Sequence, residues 1–254
     1  MPFDSERGAG PRLILLLRLI AENGSFSLKE ISERAALPPS TAHRLLQVLS
    51  RSGMVERGPH QTYRPGRELY RMASLLRSRF DLGAAARPFL ERLWSQWQET
   101  AVLCLYNPTS RTGTVVDAIL TTHPLRFAVE IGMELALPWG SLGQAMLASL
   151  AAEEIEMVLA AATSGPLSGR PLAPREEVLA DLDRIRANGF ADYFDPNYDV
   201  AGVAAPLFGA GGELVGCLGI TMPSRRFDLH DRPAMTAAVR DAACELSELI
   251  TLQS

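Results

Sequence analysis

From Pro38 to Gly53 the chain reads Pro38-Pro39-Ser40-Thr41-Ala42-His43-Arg44-Leu45-Leu46-Gln47-Val48-Leu49-Ser50-Arg51-Ser52-Gly53. Ser40, Thr41, His43, Arg44, Gln47 and Arg51 bring hydroxyls, an imidazole, an amide and two guanidiniums, with no carboxylate among them. Hydroxyls and guanidiniums bind phosphate oxygens, and Arg, His and Gln also reach base edges. An acid-free cationic face suits a polyanion, because each neutralised phosphate releases counterions and a carboxylate would oppose that. An ordinary solvated helix face has the same make-up, so the neighbouring elements decide.

A second cationic group follows at once. Arg57, His60 and Arg64 flank Gly58-Pro59-His60-Gln61, a turn between the strand-like Met54-Val55-Glu56-Arg57 and Thr62-Tyr63-Arg64. A hairpin placed there is a wing whose tip can lie on a nucleic-acid backbone. Further along, Asp192 and Asp195 flank two aromatic residues in a segment that reads as a loop, with Asp195-Pro196 starting a turn. Gly209-Ala210-Gly211-Gly212 between two strands reads as a hairpin turn rather than a phosphate cradle. Cys104, Cys217 and Cys244 are odd in number and sit in apolar surroundings, which fits reduced, buried thiols and gives neither a disulfide framework nor a metal knuckle. No nucleophile elbow or metal-spaced cluster is present, so neither a cofactor nor a metal is expected.

The elements that position the first group are short helices. Pro11 opens one with Leu13, Leu16, Leu17 and Ile20 on one face, ending near Asn23-Gly24. Ser27-x-x-Glu30 has the form of a capping box and starts the next, through Ala35. In the third, Ala42, Leu45, Leu46 and Leu49 fall at i, i+3, i+4 and i+7, so the core stripe lies opposite the polar face. Three short helices with the third presented outwards is helix-turn-helix organisation. A helix over 66–82 follows, with Leu69, Met72, Leu75 and Leu76 apolar, and reads as a linker and dimer contact. Then come a helix over 84–99, strands at 101–106 and 113–120, a third strand at 125–129, and helices near 141–150, 152–161 and 175–187. Strands at 200–208 and 213–221 and a helix over 229–252 close the chain. The pattern is α+β, an antiparallel sheet with helices around it. Residues 1–10 form an expected flexible arm, 11–65 a winged helix-turn-helix, 66–83 the linker and 84–254 the second domain.

Composition agrees with two globular parts. Residues 1–80 hold 13 Arg or Lys against 7 Asp or Glu, whereas the rest hold 12 against 22, so a basic N-terminal third precedes an acidic body. No apolar run approaches the ~20 residues a membrane helix needs, and no export signal stands out. A cytoplasmic protein with no membrane partner is expected.

Over nearly the whole length the chain resembles the IclR-type bacterial transcriptional regulators. The resemblance rests on Leu37-Pro38-x-Ser40-Thr41-x-x-Arg44-Leu45-Leu46-x-x-Leu49-x-x-x-Gly53-x-Val55 and Tyr63-Arg64-x-Gly66. It continues at Pro138-x-x-Ser141-x-Gly143-x-Ala145-Met146-Leu147-Ala148, at Ile185-Arg186-x-x-Gly189-Phe190-Ala191 and at Val203-Ala204-Ala205-Pro206-Leu207-Phe208. It implies a winged helix that binds double-stranded operator DNA and a GAF-like domain that binds a small-molecule effector, typically an organic or aromatic acid. It also implies a homodimer, often paired into a tetramer. One pocket wall would include Trp139, Ser141 and Leu142; the other would include Asp192 or Tyr193, Gly202, and Gly219 with Thr221. The start of the 141–150 helix has its own logic, since free N–H groups and the Ser141 hydroxyl favour a carboxylate there. Leu142, Gly219 and the bulky Trp139 depart from the family pattern, so no relative's ligand carries over. Two other readings stay open: a DNA-binding protein with a vestigial, ligand-free second domain, and a GAF-like enzyme working through its cysteines.

Overall fold

The computed structural model describes residues 8–79 and 82–253, in two compact units that divide after residue 81. The first unit contains α1 (Ala9–Asn23), α2 (Leu28–Arg34), α3 (Pro39–Arg51), β1 (Val55–Arg57), a 3-10 turn (Pro59–Gln61), β2 (Tyr63–Pro65) and α4 (Arg67–Arg79). Its core is one cluster around Leu16, Ile20, Ile31, Ala42, Leu46 and Val55. The Ser27 hydroxyl accepts from Glu30 N–H while the Glu30 carboxylate accepts from Ser27 N–H, so the expected capping box forms. Phe26 and Tyr63 exchange backbone hydrogen bonds of 2.9 and 2.7 Å, which fastens the α1–α2 connection to β2. The arm expected over 1–10 is partly helical, since α1 starts at Ala9; its residues 1–7 lie outside the described residues.

The second unit is built on a six-stranded antiparallel sheet, ordered β5-β4-β3-β8-β7-β6. Its strands are β3 (Thr100–Asn107), β4 (Thr112–Ile119), β5 (Glu134–Ala136), β6 (Ala191–Asp195), β7 (Val200–Phe208) and β8 (Leu214–Met222). On one face pack α5 (Leu82–Trp97) and α10 (Arg232–Gln253), through Leu90, Leu93, Val239 and Leu246. On the other pack α6 (Gly140–Ala148), α7 (Ala152–Ala161) and α8 (Arg175–Asn188), through Met146, Leu147, Ile155 and Leu182. Cys104 and Cys217 lie directly opposite each other on β3 and β8, both fully buried. Burial pushes the Cys217 thiol well above the usual thiol range, with its Cys104 neighbour adding to the effect.

Several sequence expectations are corrected. Residues 125–129 form no strand; the edge beside β4 is taken by Glu134–Ala136, with Thr112 opposite Ala136. Leu125 O instead accepts from Arg226 Nη1 at 2.7 Å, which holds that stretch as irregular chain. Residues 191–195, expected as a loop, are the edge strand β6, paired with β7 from Ala191↔Ala204 to Asp195↔Val200. The closing helix begins at Arg232 rather than 229, after a one-turn helix α9 (Ser224–Phe227). Helix α5 starts at Leu82, and the expected 66–82 linker corresponds to α4, with residues 80 and 81 outside the described residues. Cys244 is exposed, not buried. No helix among the described residues is long and apolar enough to cross a membrane.

Candidate functional site

Two surfaces gather the chemistry. On α3 the stripe Ala42, Leu45, Leu46 and Leu49 is buried, which turns Ser40, Arg44, Gln47 and Arg51 outward; Thr41 and His43 are half-buried beside them. Helix α3 begins at Pro39 after Pro38 and has no side-chain cap, so its leading amides carry no side-chain oxygen. Neither Arg44 nor Arg51 forms an ion pair with a described residue. Beside this face stands the β1–β2 hairpin, and Gln47, Ser50, Arg51, Glu56, Arg57 and Tyr63 line the furrow between them. Arg57 is exposed with its guanidinium 5.7 Å from the Tyr63 ring centre. His60 sits at the hairpin tip in the left-handed region, φ 53°. Arg64, expected as a backbone contact, instead pairs across the strands with Glu56 at 2.7 Å. An exposed pair of this kind holds by no more than about 1 kcal/mol, so a phosphate can still recruit Arg64.

The second surface is a cavity of about 280 Å³ on the α6 side of the sheet. Trp139, Gly140, Ser141 and Leu142 at the start of α6 form one wall, and Tyr193, Asp195, Val200, Ala201 and Thr221 of β6, β7 and β8 form the other. Phe127, Ala128, Val129 and Met133, with Pro166, Leu167 and Ser168, close the remaining sides. Ser141 is only 6% exposed, and its hydroxyl has no partner among the described residues. Gly202 lies directly beneath it: a Cβ there would come within 2.8 Å of Ser141 Oγ and 2.6 Å of Ile220 O. Only glycine lets α6 come this close to β7. Gly219 serves the same packing further in, against Ala204 and the Leu142 side chain, and does not line the cavity. The Leu142 carbonyl meets Cys217 Sγ at 3.5 Å, and Thr221 Oγ1 lies 3.5 Å from Ala201 O.

Strand alternation on β6 decides between the two named acceptors there. Tyr193 and Asp195 share the cavity face, whereas Phe194 stacks on Phe227 across the sheet. Asp192 falls outside the lining and bonds Arg184 Nη1 at 2.9 Å. Burial raises the Tyr193 phenol above its ordinary range; Asp195 adds to that, and Arg170 opposes it. Arg126, weighed as a partner for an acid, is exposed, reaches Thr121 O at 3.5 Å and lies outside the lining. Of the remaining walls, 127–129 carries a strand-like pattern that the structure does not form, and 130–133, 166–168 and Tyr198 lie in irregular segments joined only by the fold.

The chain as a whole matches known regulators. The family model "Bacterial transcriptional regulator IclR C-terminal" matches residues 75–248, and "IclR helix-turn-helix domain" matches 12–59. The chain belongs to the IclR family of bacterial transcriptional regulators. Among curated IclR-type relatives, it is 30% identical to the HTH-type transcriptional regulator BhcR of Paracoccus denitrificans, over 93% of this chain and 85% of that protein. It is 28% identical to the transcriptional repressor IclR of Escherichia coli, over 93% and 87% respectively. Among solved IclR-type structures, a regulator from Silicibacter shares the fold at a TM-score of 0.81 with 22% identity, covering 96% of both chains. An IclR homologue from Microbacterium hydrocarbonoxydans, solved with 4-hydroxybenzoate, superposes at 0.78 with 22% identity, over 95% and 98%. This IclR-type chain is therefore a DNA-binding transcriptional regulator of a ligand-responsive family, with its helix-turn-helix in the first unit.

Proposed function

We propose that α3 enters the major groove of a double-stranded operator through Ser40, Thr41, His43, Arg44, Gln47 and Arg51, with Arg57, His60 and Arg64 of the wing on the adjacent backbone. The acid-free outer face of α3 is the observation that carries this reading. The protein acts in the cytoplasm without catalysing a reaction, and it binds as a homodimer, able to pair into a tetramer, that matches a palindromic site. Support for the dimer comes from α4, where Met72 and Leu75, three residues apart on one face, are both exposed.

The cavity holds a small organic or aromatic acid with its carboxylate at the start of α6. Trp139, Ser141, Leu142, Tyr193 and Thr221 contact it, while Gly202 and Gly219, outside the lining, set the approach of α6 and Asp192 takes no part. The unpartnered hydroxyl of Ser141, a buried residue that lines the cavity, carries this assignment. The relative solved with 4-hydroxybenzoate supports the ligand class. A ligand shifts two states only by binding them unequally, so effector and operator affinities are coupled through the arrangement of the α4 helices. A thermal-shift screen of carboxylic and aromatic acids tests the sensor: a saturating acid at a hundredfold excess over Kd adds about 2.7 kcal/mol. Silence from a broad panel would instead favour a vestigial second domain.

A further inference from the structure

The charge of the cavity lining is unusual for a site that takes an acid. Among the described residues that line it there is no Lys, Arg or His, yet Asp195 and Glu134 are both present. Glu134 is exposed at the rim, whereas Asp195 is half-buried on the β6 wall. One Asp195 oxygen, Oδ1, accepts from Asn197 N–H at 2.9 Å; the other has no bond to a described residue. Arg170 is the nearby cation, and it lies over the Tyr198 ring at 5.5 Å, outside the lining. The remaining polar groups are hydroxyls and the Trp139 indole N–H, and Phe127, Trp139, Tyr193 and Tyr198 supply aromatic faces. A carboxylate without a matching positive charge is the signature of a site for a cation, and aromatic faces add to the attraction.

The two poles also have a defined separation. Ser141 stands over Gly202, and Gly202 pairs with Tyr193. Asp195 is two residues further along the same face of β6, roughly 7 Å of strand beyond Tyr193, and β6 and β7 are themselves about 4.8 Å apart. The two poles are therefore set far enough apart for a ring substituted at opposite ends to lie between them. Building on the acid-sensing reading above, we propose that the effector is amphoteric: its carboxylate meets the α6 amides and Ser141, and an ammonium group at its far end meets Asp195. Such a molecule leaves neither pole unpaired. A plain acid would place an apolar end against the Asp195 carboxylate and strip it of water without replacement.

The test uses three acids of one shape, 4-methylbenzoate, 4-hydroxybenzoate and 4-(aminomethyl)benzoate, titrated calorimetrically into the full chain. The amine is expected to bind at least tenfold tighter than the methyl compound, with the phenol between them. In Asp195→Asn, which keeps the side-chain shape and the Oδ1 acceptor, that tenfold advantage should vanish while 4-methylbenzoate binding holds or improves. Methyl or hydroxyl compounds binding as tightly as the amine to the wild-type chain would overturn the proposal, and that ranking needs no variant. So would an amine advantage that survives in Asp195→Asn. Binding by none of the three would overturn the acid-sensing reading itself, and this inference with it.

Discussion

Arg226→Met isolates a buried ion pair that ties the cavity wall to the sheet. The Glu99 carboxylate, 1% exposed at the α5–β3 junction, accepts from Arg226 Nε at 2.5 Å and from Nη2 at 2.7 Å. The third donor of the same guanidinium, Nη1, holds Leu125 O, just before the Phe127–Val129 wall. Methionine keeps the stem and removes the fork, leaving a buried carboxylate without its charge partner. That situation costs about 3–5 kcal/mol. At about 2–4 °C per kcal/mol for a unit of this size, the melting temperature of the second unit should fall by roughly 6–20 °C. His230 Nε2, 3.5 Å from Glu99 Oε1, is too distant to replace two short charged bonds. Scanning calorimetry of wild type, Arg226→Met and Arg226→Met/Glu99→Gln separates the causes. The double variant removes the orphaned charge and should regain much of the lost stability, yet its acid affinity should stay low because Leu125 O is unheld in both. A loss under about 1 kcal/mol, or a double variant no more stable than the single, would refute the reasoning.

Three further outcomes follow from named contacts. Arg44→Ala should weaken operator binding by at least about 1 kcal/mol, and if Arg44 sits on phosphate the salt slope should drop by about one; a gel-shift titration unchanged at every salt concentration would contradict the α3 assignment. Iodoacetamide should label Cys244 in the native protein and spare Cys104 and Cys217, because both are buried and the Cys217 thiol is raised well above its usual range; equal labelling by mass spectrometry would count against that. Arg225 and Ser224 hold the Asp199 carboxyl below its usual value near 3.8. Its stabilising contribution is therefore complete above about pH 5 and lost as pH falls through the lowered value. Asp199→Asn and wild type should accordingly converge in stability as acid denaturation is approached, and a gap that widens below pH 4 would reverse the sign.

The first unit was largely legible in the sequence because its signals are local. The Ala42-Leu45-Leu46-Leu49 stripe, the Ser27–Glu30 box and the turn at Gly58–Gln61 each act within a few residues, and each forms as expected. Sequence reasoning failed where a partner distant in the chain decides. Residues 125–129 looked strand-like, but Arg226, a hundred positions away, holds Leu125 O while Glu134–Ala136 takes the sheet edge. Residues 191–195 carry two acids and a following proline, a loop composition, yet as an edge strand they need only one paired side. At the cavity, Trp139, Ser141, Leu142, Tyr193 and Thr221 were named from the family resemblance and the structure brings them together. Asp195 rather than Asp192 faces inward through alternation along β6, a rule that a loop reading of the segment does not supply. The walls at 130–133 and 166–168 have no spacing of their own to betray them, and the apolar run at 127–129 points to a strand rather than to a cavity wall.

In the proposed regulator one chain couples an effector in the α6–β6 cavity to an operator on α3. The most direct measurement is the Kd of the best-binding acid, determined by titration calorimetry with and without a saturating operator duplex selected by the full-length protein. The account predicts affinities that differ by at least fivefold, with operator affinity shifted by the same factor when the acid is saturating, as linkage requires. Equal acid affinity in the presence and absence of operator would contradict it.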